Sequence, residues 1–161
     1  MPDDEADLNS LSGSASYGPG ADARPVADRM SEAESMELLG NGGLARLVYN
    51  GPDGPTALPV VYKIDAGSIV LGTWDPVLFD EDLRTGIAQA EYQVVVEVDQ
   101  VHPEAHEGWV VLVRGTAHHV DTQAERASIS NVGLESWVEA EPEHFIRVVP
   151  ISISGQRLHS A

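Results

Sequence analysis

The sequence predicts a mainly β (α+β) fold, an antiparallel barrel, closed or nearly so, with short flanking helices. Three observations carry this expectation. Short runs of alternating or β-branched apolar residues recur between turn signals rich in Gly, Pro, Asn and Asp, which favours hairpins over parallel strands joined by long helices. The run over residues 109–120 is long enough to pass between two sheets, and Gly115 stands where it would bend or bulge. The chain has 161 residues, 42% of them hydrophobic, which suffices for one compact domain plus a tail.

Residues 1–27 are rich in Ser, Gly, Ala, Pro and Asp, with few large apolar side chains to offset the entropy of ordering, and are expected to form a flexible acidic tail ahead of a domain over 28–161. Ser31-Glu32-Ala33-Glu34 has capping-box spacing and predicts a helix start. Met36, Leu38 and Leu39 give that helix an apolar side, and Gly40, Gly42 and Gly43 stop it. Strands follow over 44–49 and 57–64, separated by Asn50-Gly51-Pro52-Asp53-Gly54-Pro55. Asp65-Ala66-Gly67 then leads into a third strand over 68–73, which completes a meander. Residues 74–82 read as a loop and 83–92 as a helix through Leu83, Ile87 and Ala90, with Asp80, Glu81 and Asp82 near its positive end. Strands are expected over 94–98 and 109–120, a helix over 122–131, and a last strand pair over 145–149 and 151–153 around Pro150. The total is six or seven strands.

Charge and composition exclude whole classes of function. Nine basic against 26 acidic residues give a net charge of −17, which repels a phosphate backbone and disfavours nucleic-acid binding. No apolar stretch approaches the roughly 20 residues of a membrane span, and no basic-plus-apolar leader opens the chain, so a cytoplasmic protein is expected. Without cysteine there is no disulfide frame, thiolate metal site or cysteine nucleophile, so redox chemistry would need a bound cofactor.

The ordered set Gly43-Leu44-Ala45-Arg46-Leu47-Val48-Tyr49, Leu58-Pro59-Val60-Val61-Tyr62, Ile69-Val70-Leu71-Gly72-Thr73, Val95-Val96-Glu97-Val98-Asp99 and Gly108-Trp109-Val110-Val111-Leu112-Val113-Arg114-Gly115-Thr116-Ala117 resembles the pyridoxamine 5′-phosphate oxidase-like split-barrel flavoproteins. The closing His144-Phe145-Ile146-Arg147-Val148-Val149-Pro150 and Gly155-Gln156-Arg157-Leu158 resemble that family too, so the likeness covers about residues 31–158. It implies a six-stranded antiparallel split β-barrel and a homodimer that holds flavin mononucleotide (FMN) between subunits. Carried over by position, Pro59, Val60, Val61 and Tyr62 would line the flavin ring, Gly72 and Thr73 would meet the ribityl and phosphate, and Trp109 would close the site. The implied activity is that of an oxidoreductase acting on a small-molecule substrate. The alternatives are a deazaflavin-dependent reductase, whose longer anionic cofactor suits this acidic chain less well, and a non-catalytic module for haem or another flat ligand.

The departures concern the phosphate. Where members commonly carry basic side chains, this chain has Thr56-Ala57 and Trp74-Asp75-Pro76, and Arg84 is the candidate replacement unless the neighbouring Asp80, Glu81 and Asp82 neutralise it. Other conspicuous residues have plainer readings. His102 and His106 flank Pro103 and fit a solvated loop, while adjacent His118 and His119 should point to opposite faces of a strand, one of them a conceivable flavin or haem contact. Glu139, Glu141, Glu143 and His144 read as a solvated strand entry, Trp137 as packing, and Arg157-Leu158-His159 as a chance likeness to a substrate-site triplet of genuine pyridoxamine phosphate oxidases.

Overall fold

Alternation of buried and exposed side chains defines the strands of the computed structural model, which describes residues 27–40, 42–51, 53–74, 92–135 and 141–159. In chain order the elements are β1 (Ala27–Met30), α1 (Glu32–Leu39), β2 (Gly43–Gly51), β3 (Gly54–Asp65), β4 (Ser68–Thr73), β5 (Tyr92–His102), β6 (Glu107–His119), α2 (Gln123–Val132) and β7 (His144–Leu158). The sheet runs β1-β7-β4-β3-β2-β5-β6, and a further β6–β7 pairing closes β2 to β7 into a six-stranded ring with β1 appended to β7. This is the split barrel that the alternation and the resemblance imply.

The period-two pattern sends one set of side chains inward. Ala45, Leu47 and Tyr49 of β2 meet Val60 and Tyr62 of β3, Ile69 and Leu71 of β4, Val94, Val96 and Val98 of β5, Val111 and Val113 of β6, and Ile146 and Val148 of β7. Full burial of such side chains is worth about 1.5–3 kcal/mol each, so the barrel interior dominates the fold. Leu39 of α1 closes one end of it. A smaller cluster outside the ring, Val70, Val120 and Ile129, seats α2 on β4.

The two helix starts behave as their sequences dictate. Ser31 accepts from the Glu34 amide while the Glu34 carboxylate accepts from the Ser31 amide at 2.8 Å, a complete capping box. Thr122 caps α2 in the same position, and Gly133 ends it with φ 64°. At the end of α1, Gly40 remains right-handed, and the left-handed turn is made by Gly42 at φ 74°, where a Cβ would come within 2.5 Å of the Tyr62 carbonyl oxygen.

Several expectations need correction. Tyr92 is the first residue of β5, paired with Ala117, and not the last of a helix; the rest of the helix expected over 83–92, with Arg84, lies outside the described residues, as do Trp137 and residues 1–26 of the tail. Ala27, assigned to the tail, already belongs to β1, which pairs with Gly155–Leu158. The expected pair of strands around Pro150 is the single long β7, because the register shift between Arg114 and Gly115 leaves Ile151 without an opposite number and absorbs the proline. Gly115 permits this: a Cβ there would stand 2.4 Å from the Val149 carbonyl oxygen. His102 ends β5 rather than lying in a loop, and His106 sits in the following turn with φ 51°. Among the described residues, no helix is long and apolar enough to cross a membrane.

Candidate functional site

The ring is weakest between β2 and β5, where only Arg46, Leu47 and Val48 pair with Glu97, Val96 and Val95. By contrast, β5 and β6 pair from Tyr92 to His102 without interruption. Ahead of Arg46 the two strands part and leave a cleft of about 640 Å³. Gly43, Leu44 and Ala45 form its β2 wall, Val98, Asp99 and Gln100 its β5 wall, and Leu38, Pro59, Tyr62 and Trp109 complete it.

Of the residues singled out from sequence, the structure brings Pro59, Tyr62 and Trp109 to this cleft. Val60 is fully buried in the barrel interior and Val61 is buried on the opposite face of β3, so neither side chain forms a cleft wall. Gly72 pairs with Val61 and is covered by Pro142, whose Cβ lies 2.9 Å from where a glycine Cβ would be. Thr73 is buried at the end of β4. Tyr62 reaches from the core to the rim, donating its hydroxyl to the Leu39 carbonyl at 3.3 Å, and burial pushes its pKa up so that it stays protonated.

Arg46 and Asp99 of the cleft wall, with Glu97 beside them, form a charge cluster that the sequence motifs do not reveal. Arg46 donates through one Nη to Glu97 and to Asp99, both at 2.6 Å. Hydrogen bonds to Asp99 and then Glu97 raise the Arg46 pKa, so the guanidinium remains charged while its charge is spent on its neighbours. The period-two pattern places all three on the outward face, but their meeting depends on the β2–β5 register, which no local signal encodes. The cleft therefore offers aromatic and apolar walls, backbone groups at Gly42 and Gly43, and an internally neutralised cation.

His118 and His119 do face opposite sides. His118 Nε2 lies 3.1 Å from Glu125 Oε1 and ties β6 to α2. Among the described residues, no group of three His, Cys, Asp or Glu side chains is arranged to hold a metal ion.

Comparisons with known proteins agree with this architecture. The family model for pyridoxamine 5′-phosphate oxidase matches residues 31–157. An uncharacterized Mycobacterium tuberculosis protein is 26% identical over 136 residues, covering 84% of this chain and 88% of its relative. The crystal structure of a candidate pyridoxamine 5′-phosphate oxidase from Corynebacterium glutamicum superposes with a TM-score of 0.65 at 25% identity, covering 86% of this chain and 98% of the other. Two proteins described as FAD-binding share the fold: one from Mycobacterium smegmatis, with TM-score 0.63, 22% identity and coverage of 82% and 100%, and one from Mesorhizobium loti, with TM-score 0.65, 19% identity and coverage of 83% and 99%.

Proposed function

Because the chain belongs to the pyridoxamine 5′-phosphate oxidase family, we propose that it is an FMN-binding flavoprotein, an oxidoreductase acting on a small-molecule substrate, with the flavin ring in the β2–β5 cleft. The observation that carries this reading is the cleft itself, whose volume of about 640 Å³ and lining by Leu44, Pro59, Tyr62, Val98 and Trp109, with Arg46, Asp99 and Gln100 at its polar side, suit a tricyclic ring. The family likeness supports a flavin, and the FAD-binding descriptions of two fold neighbours are in keeping with one. A bound flavin supplies hydride or electron transfer. The protein's part is to exclude water with Trp109 and Leu44, to support the ring edge with Pro59 and Tyr62, and to offer the Gly42–Gly43 backbone to its polar rim. Val60, Val61, Gly72 and Thr73 hold the β3–β4 framework behind that wall, with Val61 paired to Gly72.

The phosphate is matched less well, since Arg46 is already held by two carboxylates. Arg84 is the proposed phosphate partner, and its removal tests the assignment. Arg84→Ala should weaken FMN about ten- to a hundredfold, the worth of a charge-assisted hydrogen bond, and leave riboflavin nearly unaffected. Titration of FMN, FAD and riboflavin into wild type and variant, followed by flavin fluorescence, measures this. Failure of wild type to bind any of the three would dismiss the flavin reading and favour the flat-ligand module, which the shortage of free cations in the cleft would then explain.

The reading includes a homodimer. Leu44, 41% exposed, and Val101, 48% exposed, flank the same end of the split, and a second copy seated there would cover both and narrow the mouth of the cleft.

A further inference from the structure

The short ladder between β2 and β5 opens at both ends. Beyond its last pair, Val48 with Val95, the strands part again, and a groove of about 440 Å³ runs from this gap across β6 to β7. The ladder separates this groove from the cleft ahead of Arg46, and the Arg46–Glu97 pair is the row between them. Val48 and Val95, both half-buried, lie in the floor of the groove, and Pro55 and Ile151 add apolar walls. The register shift between Arg114 and Gly115 shapes the β7 side. It leaves Ile151 unpaired, so that Ile151 and Ser152 both border the groove, and Ile151 is 67% exposed.

Arg114 is the charged residue of this lining, and no carboxylate takes part in it. It stands opposite Val95 on β5 and opposite Ser152 on β7, so alternation sets its side chain on the same outward face as the valine floor. Among the described residues Arg114 has no ion pair, whereas Arg46 is held by Glu97 and Asp99, Arg147 by Asp65 at 2.8 Å, and Lys63 by the Gly133 carbonyl at 2.9 Å. Glu97, two residues along β5 from Val95, is turned onto Arg46 at 2.6 Å and so does not compete. An uncommitted guanidinium beside an apolar floor suits an anion with an apolar body. The charge of that anion is limited by the chain. One guanidinium matches one carboxylate with two parallel hydrogen bonds, while a dianion would meet about twice the repulsion from a chain of net charge −17 with the same single cation to offset it.

We propose that the Val48–Val95 groove binds an apolar monocarboxylic acid as its anion, the carboxylate on Arg114 beside Ser152 and the apolar body over Val48, Val95 and Ile151. The fixed fork of the guanidinium favours arginine over a point charge for this task. This site goes beyond the flavin reading and stands without it.

Octanoate, octanol, octylammonium and octyl phosphate, titrated calorimetrically into the full-length protein, test the proposal. Octanoate should bind about tenfold or more tightly than octanol, and more tightly than octylammonium or octyl phosphate. Arg114→Gln should bring octanoate down to the affinity of octanol and leave octanol unchanged, and Arg114→Lys should recover part of the loss. Ile151→Ser, at an exposed position, should weaken octanoate and octanol alike. Arg126→Gln, at an exposed arginine on α2 outside the groove, should change nothing. Saturating FMN should leave octanoate binding intact, and because the titrations are run without flavin, a protein that binds no flavin would still give the octanoate result. No octanoate binding by wild type, octanol or octyl phosphate as tight as octanoate, an unchanged affinity in Arg114→Gln, an equal loss in Arg126→Gln, or displacement by FMN would each overturn it, the last by assigning the carboxylate to the flavin site.

Discussion

Glu125 shows how one side chain couples an element to pH. The Thr122 hydroxyl, donating at 2.7 Å, and His118 beyond it hold the Glu125 carboxyl below its usual range against the opposing effect of burial. A carboxyl depressed in the folded state stabilises the protein at pH above its unfolded value, and that contribution is lost as pH falls through the folded value. Thermal melts of wild type and Glu125→Gln should therefore differ most near neutrality and converge as the pH drops from about 7 to about 3. A constant gap over that range would mean that the cap acts through hydrogen bonding without its charge. Arg46 illustrates the opposite balance. It is 53% exposed at its side chain, so its two short ion pairs contribute little to stability, typically about 0.2–1 kcal/mol for an exposed pair. Their effect is local: they hold Arg46 at the wall of the cleft and neutralise its charge.

At the scale of elements, α1 depends on a close approach that its sequence does not advertise. The helix begins with the Ser31–Glu34 capping box, which was legible because both partners are local. It then packs on β7 so tightly that a Cβ at Gly155 would fall 2.3 Å from Ser35 Oγ and 2.7 Å from Met30 Cε. Gly155→Ala should destabilise the protein by about 1–3 kcal/mol, the range for an overpacked contact. Adding Ser35→Ala should restore much of this, since the Ser35 Cβ itself stands at 3.3 Å. Chemical denaturation of the two single variants and the double variant measures the coupling, and strictly additive losses would show that α1 does not rest on Gly155. Other elements were legible in proportion to how local their causes are. The β-branched apolar runs around Val96 and Val113, with Glu97 and Arg114 turned outward beside them, are visible in the sequence, as is the bulge glycine at 115. Ala27-Asp28-Arg29-Met30 has no such pattern and becomes a strand because β7 leaves an edge open beside it. Pro150 reads as a strand break in isolation and is tolerated only where Gly115 lets the register slip.

At the scale of the molecule, ring closure decides the site. Pro59, Val60, Val61 and Tyr62, taken together from the resemblance, are consecutive in sequence, yet β3 sends Val60 into the core and Val61 to the other side, and only a three-residue ladder between β2 and β5 leaves room for a cleft at Pro59, Tyr62 and Trp109. That placement follows from non-local registers, which is why sequence reading found some of the wall and missed Arg46, Glu97 and Asp99. The same scale sets the last prediction, on assembly. Burial of Leu44 and Val101 against a second copy favours association, while two chains of net charge −17 repel one another. Repulsion reaches about 30 Å at 0.01 M salt and about 8 Å at 0.15 M, so the apolar contact should prevail at physiological ionic strength and weaken at low salt. Light scattering at 0.15 M salt should then give about twice 17.2 kDa, with dissociation on dilution into low salt. Replacing Leu44 and Val101 together by Glu should produce a monomer at both salts and weaken FMN in parallel, because the same contact narrows the mouth of the cleft. A wild type that remains monomeric at micromolar concentration would remove the second copy from the site, and a monomeric variant that keeps full FMN affinity would show that each cleft works alone.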